Sequence, residues 1–365
     1  MQQTTLPPFS CTHTPEFPEL LAELNCSLLI STYQAGKIIF IGSDGEQLSQ
    51  LPRTFDTPMG TACDGRRLAV ATRHEVVLLV DEPRLAVSYP NKPNWYDALF
   101  APRSSHYCGQ LNIHDMAWCR EGLVGVNTLF SCLFRLDEYH SFAPVWQPPF
   151  IGELASEDRC HLNGMAIVDG VPRYVTALGH SDAFQGWREN KLEGILMDVQ
   201  SDEILLRGLP MPHSPRIFDG KLYLLLSATG ELVQADIEQG TYEVINKVSG
   251  FVRGMARHGD FLFIGSSRLR KKHMFGDLPL AQGGQTFCGV VAMHLPTGAL
   301  VGKIEYVNSC EEIYDIQVLP GLRRPGILGL SHPVFRRALS TPAATFWGEE
   351  EGRAVPSAAP TGEES

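Results

Sequence analysis

Polar residues able to do chemistry recur at one position of a repeated sequence pattern. Each copy is a short apolar run, then a turn, then a second strand-like run, and successive copies lie about 40 to 60 residues apart. Turn signals of the type Asp169-Gly170 and Asp219-Gly220 divide the two runs. The residues that open the six copies are Met59, His114, Asn163, His213, Arg253 and Tyr314.

Two imidazoles, an amide and nearby carboxylates form a donor set for one divalent metal ion. Imidazole suits zinc, iron, copper and nickel, whereas carboxylate and amide oxygens suit calcium, magnesium and manganese. The alternative is a hydrated channel in which these side chains only satisfy water and backbone groups. The metal hypothesis leaves the identity of the ion open, and its ligands would be His114, His213, Asn163, Asp115 and Asp315.

Four residues of the same region are candidate catalytic groups. His161 precedes Asn163 by two positions and would be a base or ligand, or else a hydrogen-bonded turn histidine. Arg253 is the only cation that opens a copy, so it would hold an anionic group such as a carboxylate, or pair structurally with a nearby aspartate. Tyr314 would orient the substrate, and Glu312 is a candidate ligand or base.

A closed ring of sheets would bring these distant residues together. The period is typical of a β-propeller, and six copies predict an all-β, six-bladed β-propeller. The strand-like runs 26–31 and 37–42 lack an inner partner, and the run 314–319 lacks an outer one. Pairing the N-terminal strands with the C-terminal inner strand would close the ring and remove exposed sheet edges.

The remaining segments fit one domain with short extensions. Residues 1–24 are predicted to be a lead-in with a brief helix, residues 25–335 a single propeller, and residues 341–365 a disordered tail. The segments 89–112 and 179–191 are interpreted as irregular insertions, of the kind that act as lids or binding loops. The basic segment 268–273 is interpreted as a solvated loop or an anion contact.

Composition narrows the class of protein. The 365 residues carry a formal net charge of -11, which argues against a nucleic-acid partner. The sequence shows neither an apolar run long enough to cross a membrane nor a signal peptide, so we predict a cytoplasmic protein without a membrane partner. Nine irregularly spaced cysteines without a Cys-x-x-Cys pair indicate free thiols. Motifs of serine hydrolases, nucleotide-binding loops and zincins are absent from the sequence.

Five motifs resemble an uncharacterised bacterial family of conserved hypothetical proteins. They occupy residues 112–118, 158–164, 186–191, 211–216 and 311–315. Some members of that family are fused or adjacent to tetratricopeptide-repeat proteins, which implies such a protein as a partner. The family implies no established activity, so no catalytic residue is carried over from it.

A more distant similarity is to six-bladed propellers of the gluconolactonase and regucalcin type. Their inner strands often contain an Asn-Gly segment, as Asn163-Gly164 does here, and their channel binds a divalent cation through oxygen ligands. This chain has His114 and His213 where oxygen ligands would be expected, which favours a softer metal over calcium.

We therefore expect a small-molecule or peptide site at the mouth of the channel. Its activity would be that of a metal-dependent, lactonase-like hydrolase or of another metalloenzyme that uses the His/Asn/Asp cluster, and the ion would polarise a carbonyl or activate water. The alternative is a non-catalytic scaffold that binds a protein or peptide.

Overall fold

Six small antiparallel sheets form a ring, and this six-bladed β-propeller confirms the predicted fold. The computed structural model describes residues 6–90, 92–269 and 275–349. Its helices are α1 (Glu16–Glu23), α2 (Pro83–Val87) and α3 (Pro279–Gln282), with 3₁₀ turns at Gly186–Arg188 and Pro333–Arg337. None of the helices in these ranges is long and apolar enough to cross a membrane.

Short strands make up most of the described chain. The first third of the chain holds β1 (Cys11–His13), β2 (Cys26–Thr32), β3 (Lys37–Ser43), β4 (Leu48–Thr54), β5 (Thr61–Cys63), β6 (Arg67–Ala71), β7 (Glu75–Asp81), β8 (Ala98–Tyr107) and β9 (Ile113–Cys119). The middle third holds β10 (Gly122–Asn127), β11 (Cys132–Arg135), β12 (Ala143–Trp146), β13 (Leu162–Val168), β14 (Val171–Ala177), β15 (Gly194–Asp198), β16 (Ile204–Leu209), β17 (Pro212–Phe218), β18 (Lys221–Leu226) and β19 (Glu231–Asp236). The last third holds β20 (Thr241–Lys247), β21 (Phe251–His258), β22 (Phe261–Ser267), β23 (Gly289–His294), β24 (Ala299–Tyr306), β25 (Asp315–Pro320), β26 (Pro325–Ile327), β27 (Ala338–Ser340) and β28 (Thr345–Trp347).

The ring closes as the sequence predicts. The C-terminal strand β25 pairs with β2 in antiparallel register, with Asp315 opposite Ser31 and Pro320 opposite Cys26, and β3 and β4 complete that blade. The inner strands of the other five blades are β5, β9, β13, β17 and β21. Because the two chain ends share one blade, closure removes the exposed edges that an open array would leave.

Local turn chemistry explains why inner strands fold back onto their neighbours. The turns Asp169-Gly170 and Asp219-Gly220 join an inner strand to the second strand of its blade. All four residues have positive φ, from +50° to +75°. Two consecutive left-handed residues make a type I′ turn, whose twist matches that of an antiparallel hairpin.

Both chain ends add to the propeller. Strand β1 pairs with β24 as a fifth strand of its blade, so part of the predicted lead-in belongs to a sheet. Helix α1 begins with two acidic residues, and its apolar face buries Phe17, Leu20 and Leu21. The Phe17 ring lies 6.2 Å from the Phe263 ring, which joins the helix to the core between the first and last blades.

Two predictions about irregular segments were wrong. The predicted insertion at 89–112 contains β8, which is the fourth strand of its blade and also pairs in parallel with β26. Pro102 and the polar residues that follow it hide the alternation expected of a strand. The tail predicted as disordered from residue 341 is ordered to 349, because β27 and β28 form a hairpin and Trp347 packs on Tyr89 at 5.5 Å between ring centroids. Residues 350–365 lie outside the described residues.

Gly254 is required where two inner strands approach each other. Its φ is +72°, and a Cβ atom there would lie 2.8 Å from Asp315 Cα in the next blade. We expect Gly254→Ala to lower the free energy of unfolding by about 2 to 4 kcal/mol, from the left-handed backbone and the clash together. Gly220→Ala is the matched control, since Gly220 has φ +75° and a Cβ atom there would have nothing within 4 Å. If urea unfolding shows an equal loss of free energy of unfolding in the two variants, the close approach of Gly254 to Asp315 does not matter for stability.

Candidate functional site

A cavity of about 560 Å³ opens at the mouth of the central channel, and we call it the mouth cavity. Every blade contributes to its wall, because each inner strand begins at this end of the ring. One lining residue from each blade illustrates this: Tyr314, Met59, His114, His161, His213 and Arg253.

Below the mouth cavity the channel narrows to a second cavity of about 10 Å³, which we call the neck. The predicted metal ligands all line the neck, as do Arg253 and Tyr314. His161 and Glu312 line the mouth cavity instead. The structure therefore brings the nine predicted site residues together along one channel, although they span 202 positions of the sequence from His114 to Asp315 counted inclusively.

His114 is fixed in one orientation and one tautomer. Its Nδ1–H donates to the backbone oxygen of Asn112 and to Thr128 Oγ1, both at 2.8 Å. The Thr128 hydroxyl donates its own hydrogen to the Leu162 carbonyl in the next blade, so toward the imidazole it is an acceptor. The proton of a neutral His114 therefore lies on Nδ1, and Nε2 carries a lone pair.

His213 repeats this arrangement two blades further on. Its Nδ1–H donates to the Met211 carbonyl at 3.0 Å and to Ser227 Oγ at 2.8 Å. Ser227 in turn donates to the Val252 carbonyl of the following blade. Thr128 and Ser227 each follow directly after the second strand of their blade. This regularity is present in the sequence, but an alignment of the inner strands alone does not include these positions.

Both imidazoles are neutral at ordinary pH. Burial lowers the pKa of His114 well below its usual range, and the neighbouring His161 lowers it further. Burial likewise lowers the pKa of His213, and the positive charge of Arg253 adds to the effect. The two Nε2 atoms are thus acceptors of hydrogen bonds.

His161 is held by a buried carboxylate that sequence reasoning missed. Its Nδ1 lies 2.9 and 3.0 Å from the two oxygens of Asp158, and Trp187 Nε1–H donates to the same carboxylate at 3.0 Å. The His161 ring packs against Trp187 at 4.4 Å and against His114 at 4.8 Å between centroids. We call this unit the Asp158–His161 pair. Since Asp158 engages Nδ1, Nε2 is the ring nitrogen that remains for a ligand.

The backbone of the Asp158–His161 pair adopts an uncommon conformation. Asp158 has φ +50° and His161 has φ +54°, both in the left-handed region that residues other than glycine seldom occupy. Such strain concentrates at functional sites, where surrounding structure holds it. The segment 179–191, interpreted as an insertion, supplies Trp187 from its 3₁₀ turn, and Trp187 is buried in the wall of the mouth cavity.

Arg253 pairs with Glu312 and not with either aspartate. The guanidinium NH2 lies 3.1 Å from Glu312 Oε1, and its carbon lies 4.4 Å from the centre of the Tyr314 ring. Glu312 is buried, whereas its neighbour Glu311 is exposed, so Glu312 is the inward-facing member of the two. The predicted structural alternative for Arg253, a pairing with Asp115 or Asp315, is therefore wrong.

Asp115 and Asp315 accept hydrogen bonds from donors of other blades. Asp115 forms a two-point ion pair with Arg216 at 2.8 and 3.1 Å, and accepts the backbone N–H of Met165 at 3.0 Å. Asp315 accepts the N–H and the hydroxyl of Thr61 at 2.9 and 2.6 Å. In the described ranges no group of three His, Cys, Asp or Glu side chains has the spacing of metal ligands. The carboxylates of Asp115 and Asp315 are therefore already paired with protein donors.

The buried Asp315 makes stability depend on pH. Burial, with Asp115 nearby, raises the pKa of Asp315 from 3.8 to about 6. The folded state therefore holds this proton more tightly than the unfolded state, and its contribution to stability is lost as pH rises through 6. Relative to Asp315→Asn, we expect the free energy of unfolding of the wild type to fall by about 2 kcal/mol between pH 4.5 and 7. Urea unfolding at both pH values measures this, and a pH-independent difference would contradict the raised pKa.

The mouth cavity is electropositive in a chain of net negative charge. Four arginines line it, and Glu312 is the only carboxylate among its described lining residues. Arg253 is largely buried beside the rings of Phe251 and Tyr314, where low dielectric reduces screening, whereas Arg73 and Arg188 are exposed. The arginines are Arg73, Arg188, Arg253 and Arg268. Of the basic segment 268–273, residues 270–273 lie outside the described residues.

Solved structures that are similar to this chain have low sequence identity to it. A chain in the crystal structure of a nidogen/laminin complex is similar with a TM-score of 0.53 and 11% identity, over 81% of this chain and 99% of that chain. The computationally designed Ika8 protein gives a TM-score of 0.37 and 8% identity, over 81% of this chain and 80% of that chain. The first likeness shows the fold alone. No curated protein sequence matches this chain significantly.

A family of uncharacterised proteins matches most of the chain. Its sequence profile is described as a domain of unknown function, DUF4915, and it matches residues 15–328. That range contains all six inner strands and every residue of the mouth cavity and the neck. The protein therefore belongs to the DUF4915 family.

Proposed function

We propose that the protein is an enzyme that hydrolyses a small anionic ester or lactone in the mouth cavity. The observation that carries the proposal is the Asp158–His161 pair. In this pair a buried carboxylate orients an imidazole that lines the mouth cavity. A carboxylate behind a histidine sets its tautomer and stabilises the imidazolium formed when Nε2 takes up a proton. This is the arrangement of a general acid–base.

The charge of the mouth cavity supports an anionic substrate. The NH2 group of Arg253 forms an ion pair with Glu312. The Nε–H of Arg253 is buried and makes no hydrogen bond within the described part of the chain. A carboxylate or phosphate group of the substrate would supply an acceptor for that donor. The volume of about 560 Å³ suits a small molecule, since such sites measure roughly 300 to 1,000 Å³.

The reaction needs one base and one group that stabilises negative charge. His161 Nε2 takes a proton from water as the water oxygen attacks the carbonyl carbon of the substrate, and Asp158 stabilises the resulting imidazolium. The guanidinium of Arg253, which has several N–H donors, stabilises the charge that develops on the carbonyl oxygen. The carbon–oxygen bond to the leaving group then breaks, and the alkoxide takes the proton back from His161. Ester and water thus give acid and alcohol.

Turnover of a defined panel tests the proposal. Small esters and lactones, with and without a carboxylate or phosphate group, are incubated with the wild type, and acid release is followed at constant pH. We expect turnover of anionic members of the panel and its loss in His161→Ala. His180→Ala is the matched control, because His180 is an exposed histidine of the neighbouring segment that does not line the mouth cavity. Loss of turnover in both variants, or in neither, would contradict the role of His161.

Replacing Arg253 with glutamine should weaken binding of anionic substrates selectively. The change removes the positive charge of Arg253 and a charge-assisted hydrogen bond to the substrate, so we expect KM to rise about 10- to 100-fold for anionic panel members. Uncharged members of equal size should change much less. Arg135→Gln, at an exposed ion pair with Glu121, is the control. An equal rise in KM for charged and uncharged substrates would argue against anion recognition.

A metal-dependent reaction is the competing mechanism, since neutral His114 and His213 both carry an unprotonated Nε2. Elemental analysis of protein purified without a histidine tag separates the two. Metal-free protein that turns over the panel supports the proposal. Stoichiometric metal that disappears in His114→Ala/His213→Ala would replace it with the metal mechanism.

A second candidate function is capture of a peptide or protein without chemistry. The observation that favours it is Phe184, which is 68% exposed and lies three residues before Trp187 of the mouth cavity. An exposed aromatic beside a cavity suits a binding surface. Absence of turnover across the whole panel, together with peptide binding that Phe184→Ser weakens, would favour this candidate.

A further inference from the structure

Side chains from four blades meet around the neck with their polar atoms unpaired. Asn163 and Tyr314 are 3% and 5% exposed, and both line the neck. Asn163 Oδ1 accepts the Thr176 hydroxyl at 2.7 Å, but its Nδ2 has no hydrogen-bond partner in the described ranges. The Tyr314 hydroxyl is likewise buried without one among those residues. A buried donor that is left unpaired destabilises the fold, so these two donors need an acceptor.

The same small cavity holds two acceptors that need donors. His114 and His213 both line the neck, and hydrogen bonds to carbonyl and hydroxyl oxygens use the Nδ1–H of each ring. Their Nε2 atoms, which carry lone pairs, make no hydrogen bond to any residue within the described parts of the chain. The neck is thus lined by two residues with an unprotonated ring nitrogen and by two residues with a buried, unpaired donor.

We propose that the neck is a binding site for one water molecule. The water donates its two hydrogens to His114 Nε2 and His213 Nε2, and its oxygen accepts from Asn163 Nδ2 and Tyr314 Oη. The volume of about 10 Å³ is that of a single water, which typically makes two to four hydrogen bonds when buried. No protein group within the described ranges pairs with any of the four atoms.

Other ligands of this size match the four groups less well. A cation would face the Asn163 amide hydrogens and the guanidinium of Arg253, which also lines the neck. An anion would face two imidazole lone pairs. A substrate hydroxyl has one hydrogen, so it would leave one of the two imidazoles without a donor. Water is the ligand that offers two donors and two acceptors.

The bound water has a consequence for the mouth cavity above it. It joins the blades that contribute His114, Asn163, His213 and Tyr314, and it fills the neck, which the ion pair of Asp115 with Arg216 also lines. Ligands then enter and leave only through the mouth, and the floor of the mouth cavity is polar. The inference goes beyond the proposed function, because it needs no substrate and no turnover.

Crystal structures of three proteins at about 1.5 Å resolution test the proposal. The wild type should show one density peak about 2.7 to 3.1 Å from His114 Nε2, His213 Nε2 and Asn163 Nδ2, refining as a fully occupied water without anomalous signal. Tyr314→Phe removes one of the four partners and should lower the occupancy or move the peak. Tyr33→Phe is the control, since Tyr33 packs against the Tyr314 ring and lines the mouth cavity but not the neck.

Three results would overturn the proposal. A wild-type neck without density would show that these polar groups are not bridged by water. A peak about 2.0 to 2.2 Å from the imidazole nitrogens, with anomalous signal, would identify a metal ion. A peak in Tyr314→Phe with the same position and the same occupancy as in the wild type would mean that Tyr314 does not hold the water. None of these results depends on whether the panel of esters is hydrolysed.

Discussion

Replacing His161 with alanine is expected to lower kcat on the best ester of the panel by about 10²- to 10⁴-fold, the usual contribution of a positioned general base. Asp158→Asn should cause a loss of similar size. An asparagine amide can donate toward Nδ1, which would place the proton of His161 on Nε2, the nitrogen that must accept a proton. The two effects have one physical origin, because Asp158 acts only through His161.

The double variant His161→Ala/Asp158→Asn separates a catalytic role from a structural one. Residues that act as a unit are not additive, so the double variant should be no slower than His161→Ala alone. Urea unfolding of each variant controls for lost structure, since Asp158 also accepts a hydrogen bond from Trp187. Multiplicative losses in the double variant would show that the two residues do not form a catalytic pair.

The largest effect on stability is expected at the ion pair of Asp115 with Arg216, which lines the neck. Asp115 is 4% exposed and binds Arg216 at two points, so Asp115→Ala leaves a buried guanidinium without its carboxylate. We expect the free energy of unfolding to fall by about 3 to 5 kcal/mol, measured by urea unfolding. Glu121→Ala is the control at an exposed ion pair with Arg135 and should cost about 1 kcal/mol or less.

A second substitution distinguishes the lost charge from lost packing. Arg216→Met in the Asp115→Ala background removes the unpaired charge and keeps an apolar stem of similar length. We expect the double variant to recover part of the lost stability, because an unpaired buried ion costs more than an apolar group in the same place. If Arg216→Met lowers stability further, the charge of Arg216 is not what destabilises Asp115→Ala.

The architecture could be predicted because its signals are periodic. Hydrophobic runs repeat with each blade, and Asp-Gly turns such as Asp169-Gly170 and Asp219-Gly220 mark several of them. Closure was predicted because the N-terminal hairpin lacked an inner strand and the C-terminal inner strand lacked a hairpin. The same alignment predicted that His114, Asn163, His213, Arg253 and Tyr314 would lie together, since inner strands begin around one axis. Because the blades are related by pseudo-symmetry, equivalent positions in the repeats lie around the same axis.

The Asp158–His161 pair could not be predicted in the same way. Asp158 precedes its inner strand in an irregular segment with two left-handed residues, and no periodic pattern marks such a segment. Its carboxylate could be identified as the partner of His161 only from coordinates. The strand β8 was missed for the opposite reason, because proline and polar residues masked a regular element.

The roles of Asp115 and Asp315 depended on a residue outside the aligned column. Arg216 follows His213 by three positions, and nothing in the sequence around it indicates that its side chain crosses to the blade of Asp115. Ion-pair partners between blades depend on side-chain direction, which a repeat alignment does not contain. The prediction that both aspartates would hold a metal came from their position alone.

A crystal structure with a slowly hydrolysed anionic ester bound would show whether the mouth cavity holds its substrate against His161. We expect the anionic group to contact Arg253. We also expect His161 Nε2 to lie within hydrogen-bond distance of the attacking water or of the leaving oxygen, with Asp158 still on Nδ1. An ester bound outside the mouth cavity, or bound there with its carbonyl beyond the reach of His161, would contradict the proposed hydrolysis.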